Sequence, residues 1–480
     1  MAADPPSAAA QSSGSAFAPS ANFFYAVALF AVCSASGGVV LGVGAFAAAA
    51  VEQGVLHGED IPIVFDIGFQ MLTWMSLAWS LQHDLLGPRA IALLGLAFAF
   101  VGNLMIAAAA RSPDSSPYVY ALAYGLIGGG GNGCFIGSFQ FASLFESQGT
   151  RCAVLSSGFN VAGYVYLLLN VPGVSISGFY AGNAAFVAAL AAAVAVTYPD
   201  RAYKPGDTPT LRWPTLGRRR AATTTAPAAA AAAPAAAAAV VPAASAAAAP
   251  PPKRGCLAET YAALRLCAPA LREPRFWGYC ATFSWAALVA QWASGAVGSG
   301  LIFPGAGVEY LKWGMSTITN ATFLISPLIG HLIDRLGFRP VGLLLVLCMP
   351  AVILCLWWEG PIAQWLALVL ICLLNALAFT VQFAYLTITF SSAYYPGLLT
   401  ITLAVQGTLG FIAWPLLVEV APFGHDPCLG NFLLMAAPTP LLLAWPLGRG
   451  SVNGKGAGRS LIAMRTGALE HPMHVRLSEG

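Results

Sequence analysis

The sequence predicts an all-α polytopic membrane protein: twelve transmembrane helices in two six-helix bundles. Three observations carry this. The chain is 58% hydrophobic and only 9% charged, whereas ordinary soluble proteins carry roughly 25% charged residues. Twelve apolar stretches are long enough to cross a bilayer, which takes about 20 helical residues. Finally, a short charged punctuation occurs twice. Asp84, Gly87 and Arg89 in SLQHDLLGPR are matched by Asp334, Gly337 and Arg339 in GHLIDRLGFR, each at an offset of 250. The same punctuation at a fixed offset, each time after the second apolar stretch of its half, marks an internal repeat.

The first six spans are expected at 23–45, 63–81, 90–110, 118–144, 154–170 and 176–198, and the last six at 276–297, 313–333, 341–358, 362–390, 398–420 and 432–447. Residues 1–21 are rich in Ala, Ser and Pro and contain no Lys or Arg. They lack the basic start of a signal peptide and read as a disordered cytosolic tail. Residues 22–200 form the first bundle, 201–272 a linker, 273–449 the second bundle and 450–480 a C-terminal tail. The linker opens with Arg218, Arg219 and Arg220 and continues as an Ala run broken by Pro227, Pro234, Pro242 and Pro250. Proline at that spacing interrupts a helix, so the run reads as disordered rather than as a thirteenth span. Residues 256–272 can form a short amphipathic helix on the membrane surface. The ten cysteines fall mostly inside apolar segments, where a free thiol behaves as a small hydrophobe rather than as half of a disulfide.

The repeated D-x-x-G-x-R pattern between the second and third spans of each half resembles the signature loop of the major facilitator superfamily. Gly87 and Gly337 permit a tight turn at positive φ. The Asp and Arg sit at helix ends, where charge is tolerated and can pair across the bundle interface, a gating role. The first copy has Ser80 where the second has Gly330, and Arg89 and Arg339 each stand without the usual basic run.

Orientation follows from Lys and Arg. With the N-terminus in the cytosol, all 22 basic residues except Arg111 and Lys312 fall on the cytosolic side, which puts both termini there. The opposite face is acidic, with Glu52, Glu59, Asp60, Asp114, Glu309, Glu359 and Asp426. Asn320 and Thr322 match a glycosylation pattern but lie inside a span. The sequence does not specify whether the membrane is the plasma membrane or an organelle's.

No hydrolytic or redox constellation, Walker loop, clustered metal ligands or mid-membrane His occurs in the sequence. An enzyme is therefore not expected, and neither a cofactor nor a metal. Backbone and amides stand out instead. In the fourth span Gly125, Gly129, Gly133 and Gly137 recur every fourth residue, a small-residue stripe for close helix packing. Gly128, Gly130 and Gly131 complete a run of four glycines, and Asn132 follows at about mid-membrane depth. Polar residues recur at similar depth: Ser36 on the first span, Asn160 and Tyr164 on the fifth, Ser284 and Gln291 on the seventh, Asn375 and Gln382 on the tenth, and Gln406 on the eleventh. With Asn132 they are the candidate substrate-binding residues, because an unpaired amide in hydrocarbon is costly. The family resemblance adds that the first, fourth, seventh and tenth helices line the central cavity. Asp66 is the acid clearly within a span. It lies about one turn from the outer face with no evident basic partner, and a gating or capping role is expected of it rather than proton coupling.

The stretches AYYPGLLTITLAVQGTLGFIAWPLL (393–417) and EPRFWGY (273–279), with the glycine-rich fourth span, resemble the large-neutral-amino-acid facilitators, solute carrier family forty-three. The resemblance implies neutral amino acids as the substrate, moved by alternating access; facilitated diffusion, a uniporter, is expected because the spans hold no Lys, Arg or His near mid-depth and Asp66 is shallow. A sugar or polyol carrier and a non-transporting receptor or scaffold are the alternatives. The expected partners are a small-molecule substrate and the lipid bilayer, with no nucleic acid, and the expected state is a monomer.

Overall fold

Every regular element among the described residues is helical. The computed structural model describes residues 20–36, 42–112, 114–145, 148–203, 207–211, 265, 267–298, 309–358, 360–390, 394–413 and 434–448. Among the described residues six helices are long and apolar enough to cross a membrane: Gly58–His83, Pro88–Ala109, Ile176–Thr197, Tyr310–Leu336, Phe338–Trp357 and Pro361–Leu386. They are the second, third, sixth, eighth, ninth and tenth expected spans. The fourth, Pro117–Ser138, and the seventh, Pro274–Gly298, have the length but are diluted by glycine and polar side chains. Proline recurs in the first turn of these helices, at Pro88, Pro117, Pro274 and Pro361, where its missing N–H breaks no helical bond and its fixed φ suits the start. Ser116 and Ser175 cap two helices by accepting from the backbone N–H groups of Tyr118 and Gly178.

Three spans differ from a plain helix. The first is two helices, Ala21–Ala35 and Val43–Glu52, so it reaches seven residues further than expected. The first piece ends at Ser36, whose backbone is extended and whose hydroxyl donates to the carbonyl of Val32. The fifth begins earlier than expected as Gln148–Val161 and tightens to a 3₁₀ helix over Ala162–Asn170. The eighth opens with a π-helical turn, Tyr310–Met315, before Ser316–Asn320 and Thr322–Leu336. The expected amphipathic helix at 256–272 falls mostly outside the described residues, within which one turn, Ala268–Leu271, is seen. The eleventh span is described as Tyr395–Gly410 and the twelfth as the short turns Thr439–Leu442 and Ala444–Leu447. The linker from 212 to 264 and both tails lie outside the described residues.

The helices pack in two groups. In the first, the fourth span lies against the second and third, and the third against the sixth. In the second, the seventh lies against the ninth, tenth and eleventh, and the tenth against the eighth and ninth. The groups meet where the second span touches the seventh and eleventh, the fifth touches the eighth, and Val43–Glu52 touches the π-helical turn. The first group has two separate apolar cores. One gathers Phe46, Ile61, Ile106, Tyr124, Tyr166 and Tyr180, and the other Phe24, Leu96, Cys134, Phe141, Leu155 and Tyr198. On the fourth span the first core stops at Ile127 and the second starts at Cys134, so the glycine run lies between them. The ends of the molecule are named here by charge. The acidic end carries Glu52, Glu59, Asp60 and Asp114, and the basic end carries the two D-x-x-G-x-R loops.

Candidate functional site

The second span contributes a polar stripe to the junction of the two groups. Asp66, Gln70 and Thr73 are spaced four and three residues apart, so they share one helical face. All three are buried, with Asp66 only 1% exposed. From the seventh span Gln291 donates its amide to Asp66 Oδ1 at 2.7 Å. From the eleventh, Gly410 lies against the Gln70 amide and Gly407 against Trp74 and Thr73, while Trp74 meets Phe411 with ring centroids 6.2 Å apart. Among the described residues neither side-chain atom of Gln70 has a hydrogen-bond partner, nor does Trp74 Nε1. Such unpaired buried polar atoms are costly and call for an explanation. Sequence reading passed over Gln70, Thr73 and Trp74. The helical spacing from Asp66 was the available signal, but hydropathy dominates that span.

The expected substrate-binding residues divide. Gln291 reaches across to Asp66. Asn132 donates to Ser76 Oγ on the second span, and its carbonyl oxygen has no partner among the described residues. The same holds for the buried carbonyl oxygen of Asn160. Ser284, Gln382 and Gln406 are buried, and Asn375 is half-buried. The backbone oxygen of Gln382 accepts from the Tyr279 hydroxyl at 3.2 Å. Ser36 is occupied within its own helix. The Tyr164 hydroxyl donates to Thr317 O at 3.0 Å, tying the fifth span to the eighth. A groove of about 430 Å³ lined by Trp277, Cys280, Trp285, Leu409 and Trp445 lies at the edge of the second group and contains none of these residues.

Asp66 also differs from the sequence reading. It lies near the acidic end as expected, but it is sealed from solvent and has a partner, an amide from the other helix group. Composition cannot reveal that partner, because Gln291 lies 225 residues away.

Toward the acidic end the groups are held together by several contacts to the eighth span. Lys312 pairs with Glu52, the Asn170 amide donates to Lys312 O, Ala45 N donates to Ser316 Oγ at 3.0 Å, and Gly44 lies against Leu311 O. Lys312, one of two exceptions to the basic-residue asymmetry, is thus consumed in an ion pair. The other, Arg111, donates from Nε to Ser177 Oγ at 2.8 Å. Across the groups in the other half, contact is aromatic: Phe159 with Phe379 at 6.1 Å and Phe139 with Phe383 at 5.7 Å between centroids.

The two D-x-x-G-x-R loops share a backbone. Gly87 has φ 80° and ψ 162°, and Gly337 has φ 81° and ψ −177°, a region essentially restricted to glycine. Their side chains do different things. Arg89 pairs with Asp200 at 3.0 Å and donates from Nε to Tyr198 O at 2.6 Å, so it grips the residues just after the sixth span. Pairing across the bundle interface was the sequence expectation, and Arg89 instead binds within its own helix group. Asp334 and Arg339 are exposed. The side chain of Asp84 lies outside what is described.

The glycine stripe serves two neighbours. Gly125 and Gly129 face Met71 and Met75 of the second span, while Gly133 and Gly137 face Gly95 and Pro88 of the third. An i, i+4 stripe rotates about 40° per step around a helix, which carries it from one neighbour to the next. Two intervening glycines meet backbone rather than side chain: Gly130 abuts the carbonyl of Gly95, and Gly131 that of Ala35 on the first span. Trp79 Nε1 donates to Gly129 O at 2.8 Å, which the absence of a side chain there permits.

No family model matches the sequence, and no curated protein matches it. The fold does have solved counterparts. The chain is similar to a D-xylose-proton symporter at 13% identity, with a TM-score of 0.58, 91% of this chain and 99% of that chain covered. It is similar to a POT family transporter in complex with 5-aminolevulinic acid at 10% identity and a TM-score of 0.56, over 93% and 96% of the two chains. A crystal structure of a mutant of the nucleoside transporter NupG aligns at 12% identity and a TM-score of 0.54, over 89% and 99%. The architecture is therefore the all-α, polytopic fold of the major facilitator transporters.

Proposed function

We propose that the chain is a membrane transporter that moves a small neutral or zwitterionic solute by alternating access around a site at the junction of its two helix groups. The observation that carries this reading is a set of incompletely paired buried polar atoms: the Gln70 amide and Trp74 indole nitrogen against the eleventh span at the junction, with the Asn132 and Asn160 carbonyl oxygens on the fourth and fifth spans. A site of neutral donors and acceptors matches a solute whose own groups are neutral or internally balanced. The fold supports it, since paired helix bundles with a polar junction can expose that junction to either side in turn. Neutral amino acids are the leading substrate class, on the local resemblance at 393–417 and 273–279. Polyhydroxyl solutes are the second reading, because amides beside an indole suit hydroxyl groups as well, and two structural counterparts are a D-xylose-proton symporter and a nucleoside transporter. The basic end is assigned to the cytosol, and the acidic contacts to the eighth span form the outer closure.

Purified protein in proteoliposomes is to be tested for uptake of radiolabelled neutral amino acids, with sugars and nucleosides in parallel. Saturable uptake of one class is expected, with KM raised by Gln70→Ala or Asn132→Ala. Flux no greater than in protein-free liposomes for all three classes would favour a receptor or scaffold instead.

A further inference from the structure

Building on the transport reading, we propose that Asp66 is a proton-binding site and that Gln291 couples its protonation to closure between the two helix groups. Three observations converge. The Asp66 side chain is sealed, at 1% exposure, inside a span. Its hydrogen bond comes from the other group, Gln291 Nε2 to Asp66 Oδ1 at 2.7 Å. No Lys, Arg or His among the described residues pairs with it, since the described ion pairs occupy Arg89, Arg275 and Lys312 elsewhere.

Among the described residues the surroundings supply no compensating charge. On its own element the nearest titratable groups are His57, Glu59 and Asp60, outward of it, with His83 at the far end. The fourth span presents Tyr124, packed against Gly68. The seventh has Arg275, Tyr279 and Cys280 at its opposite end, and the described eleventh span contains Tyr395 and no charged residue. In Val43–Glu52 the acid is Glu52, already held by Lys312, and the third span's Arg89 is held by Asp200.

An ionised carboxylate with no cation is strongly disfavoured in such a place. A neutral one is not, and it has a suitable partner. A glutamine amide offers both an N–H donor and a C=O acceptor. It can donate to the carboxyl as found here, and after rotation it can accept the O–H of the protonated acid. Because Gln291 belongs to the second group, this bond exists only while the groups are together at this level. When they part, water reaches Asp66 and ionisation becomes inexpensive. Proton binding and closure therefore favour each other by linkage. The step balances: a proton leaves water, an O–H bond forms on the Asp66 carboxyl, and the same bond breaks when the site next meets water. Gln70, without a hydrogen-bond partner among the described residues, lies one turn along the same face and would hold the solute beside the titrating group.

The test reads conformation without substrate. Spin labels at Tyr118→Cys and Ile362→Cys, exposed at the acidic ends of the fourth and tenth spans, report the separation of the groups in full-length protein in nanodiscs, in a background lacking the accessible native cysteines. Distances are compared at about pH 5.5 and about pH 8, on either side of neutrality. The wild type should shift toward the short distance in acid, the closed-to-open ratio changing by up to about tenfold per pH unit for one linked proton. Asp66→Asn should hold the short distance at both pH values, and Gln291→Ala should reduce the shift. An infrared carboxylic-acid band in acid, absent in Asp66→Asn, should accompany it. A pH-independent distance in the wild type, or a shift that persists in Asp66→Asn, would overturn the proposal. Should Asp66→Asn not fold, a full shift in Gln291→Ala would do the same. Absence of solute uptake in proteoliposomes would count against the transport reading and leave this outcome separately decided.

Discussion

A methyl group added at Gly131 would run into the carbonyl oxygen of Ala35, a backbone atom on the neighbouring helix. One added at Gly129 would meet the thioether of Met75. Backbone cannot step aside without moving its helix, whereas methionine is flexible and can swing. Gly131→Ala should therefore lower the thermal midpoint of the purified protein well beyond Gly129→Ala, by an amount corresponding to roughly 1–3 kcal/mol of overpacking. Equal midpoints would mean the first and fourth spans part readily. Leucine at Gly129 or Gly133 should abolish function, because neither neighbour can clear a side chain of that size. The four-residue stripe was legible in the sequence because spacing fixes a face. The two intervening positions that meet backbone, Gly130 and Gly131, were not, because spacing says nothing about which neighbour lies closest.

At the scale of an element, the π-helical turn of the eighth span holds Lys312 at 15% side-chain exposure, while its partner Glu52 is 61% exposed. The two halves of this ion pair are thus unequal. Removing Glu52 leaves a largely buried cation unpaired, whereas removing Lys312 leaves an acid in water. Glu52→Gln should destabilise more than Lys312→Gln in thermal melts, and the reverse order would place the pair in solvent. The D-x-x-G-x-R loops give a second case. Asp84→Asn and Asp334→Asn should slow turnover and leave KM nearly unchanged, since both lie at the basic end, away from the polar junction. Unaltered turnover in both variants would reduce the loops to simple turns. Their backbone was legible from the glycine in the motif. That Arg89 would grip Asp200 while Arg339 stands exposed was not, because the motif itself does not specify Asp200, which lies 111 residues beyond Arg89.

For the whole molecule, the helical fold and its order of spans follow from apolar stretches and their punctuation. The hidden part is the junction, which is built from residues hundreds of positions apart, such as Asp66 and Gln291. Membrane orientation rests on the basic residues. It predicts that Arg219→Cys resists an impermeant maleimide in intact cells and reacts after permeabilisation, and ready labelling of intact cells would invert the assignment. The two separate apolar cores of the first helix group have a mechanical consequence. Each core stiffens one end, and the glycine run between them contributes no side chains to brace the level where they meet. The group is therefore expected to flex at that level more readily than at either end, sliding on the backbone contacts of Gly130 and Gly131 while both ends keep their shape. In hydrogen–deuterium exchange the amides of residues 128–131 should open faster than those of 120–127. Uniform protection along the fourth span would instead mark a beam of even stiffness.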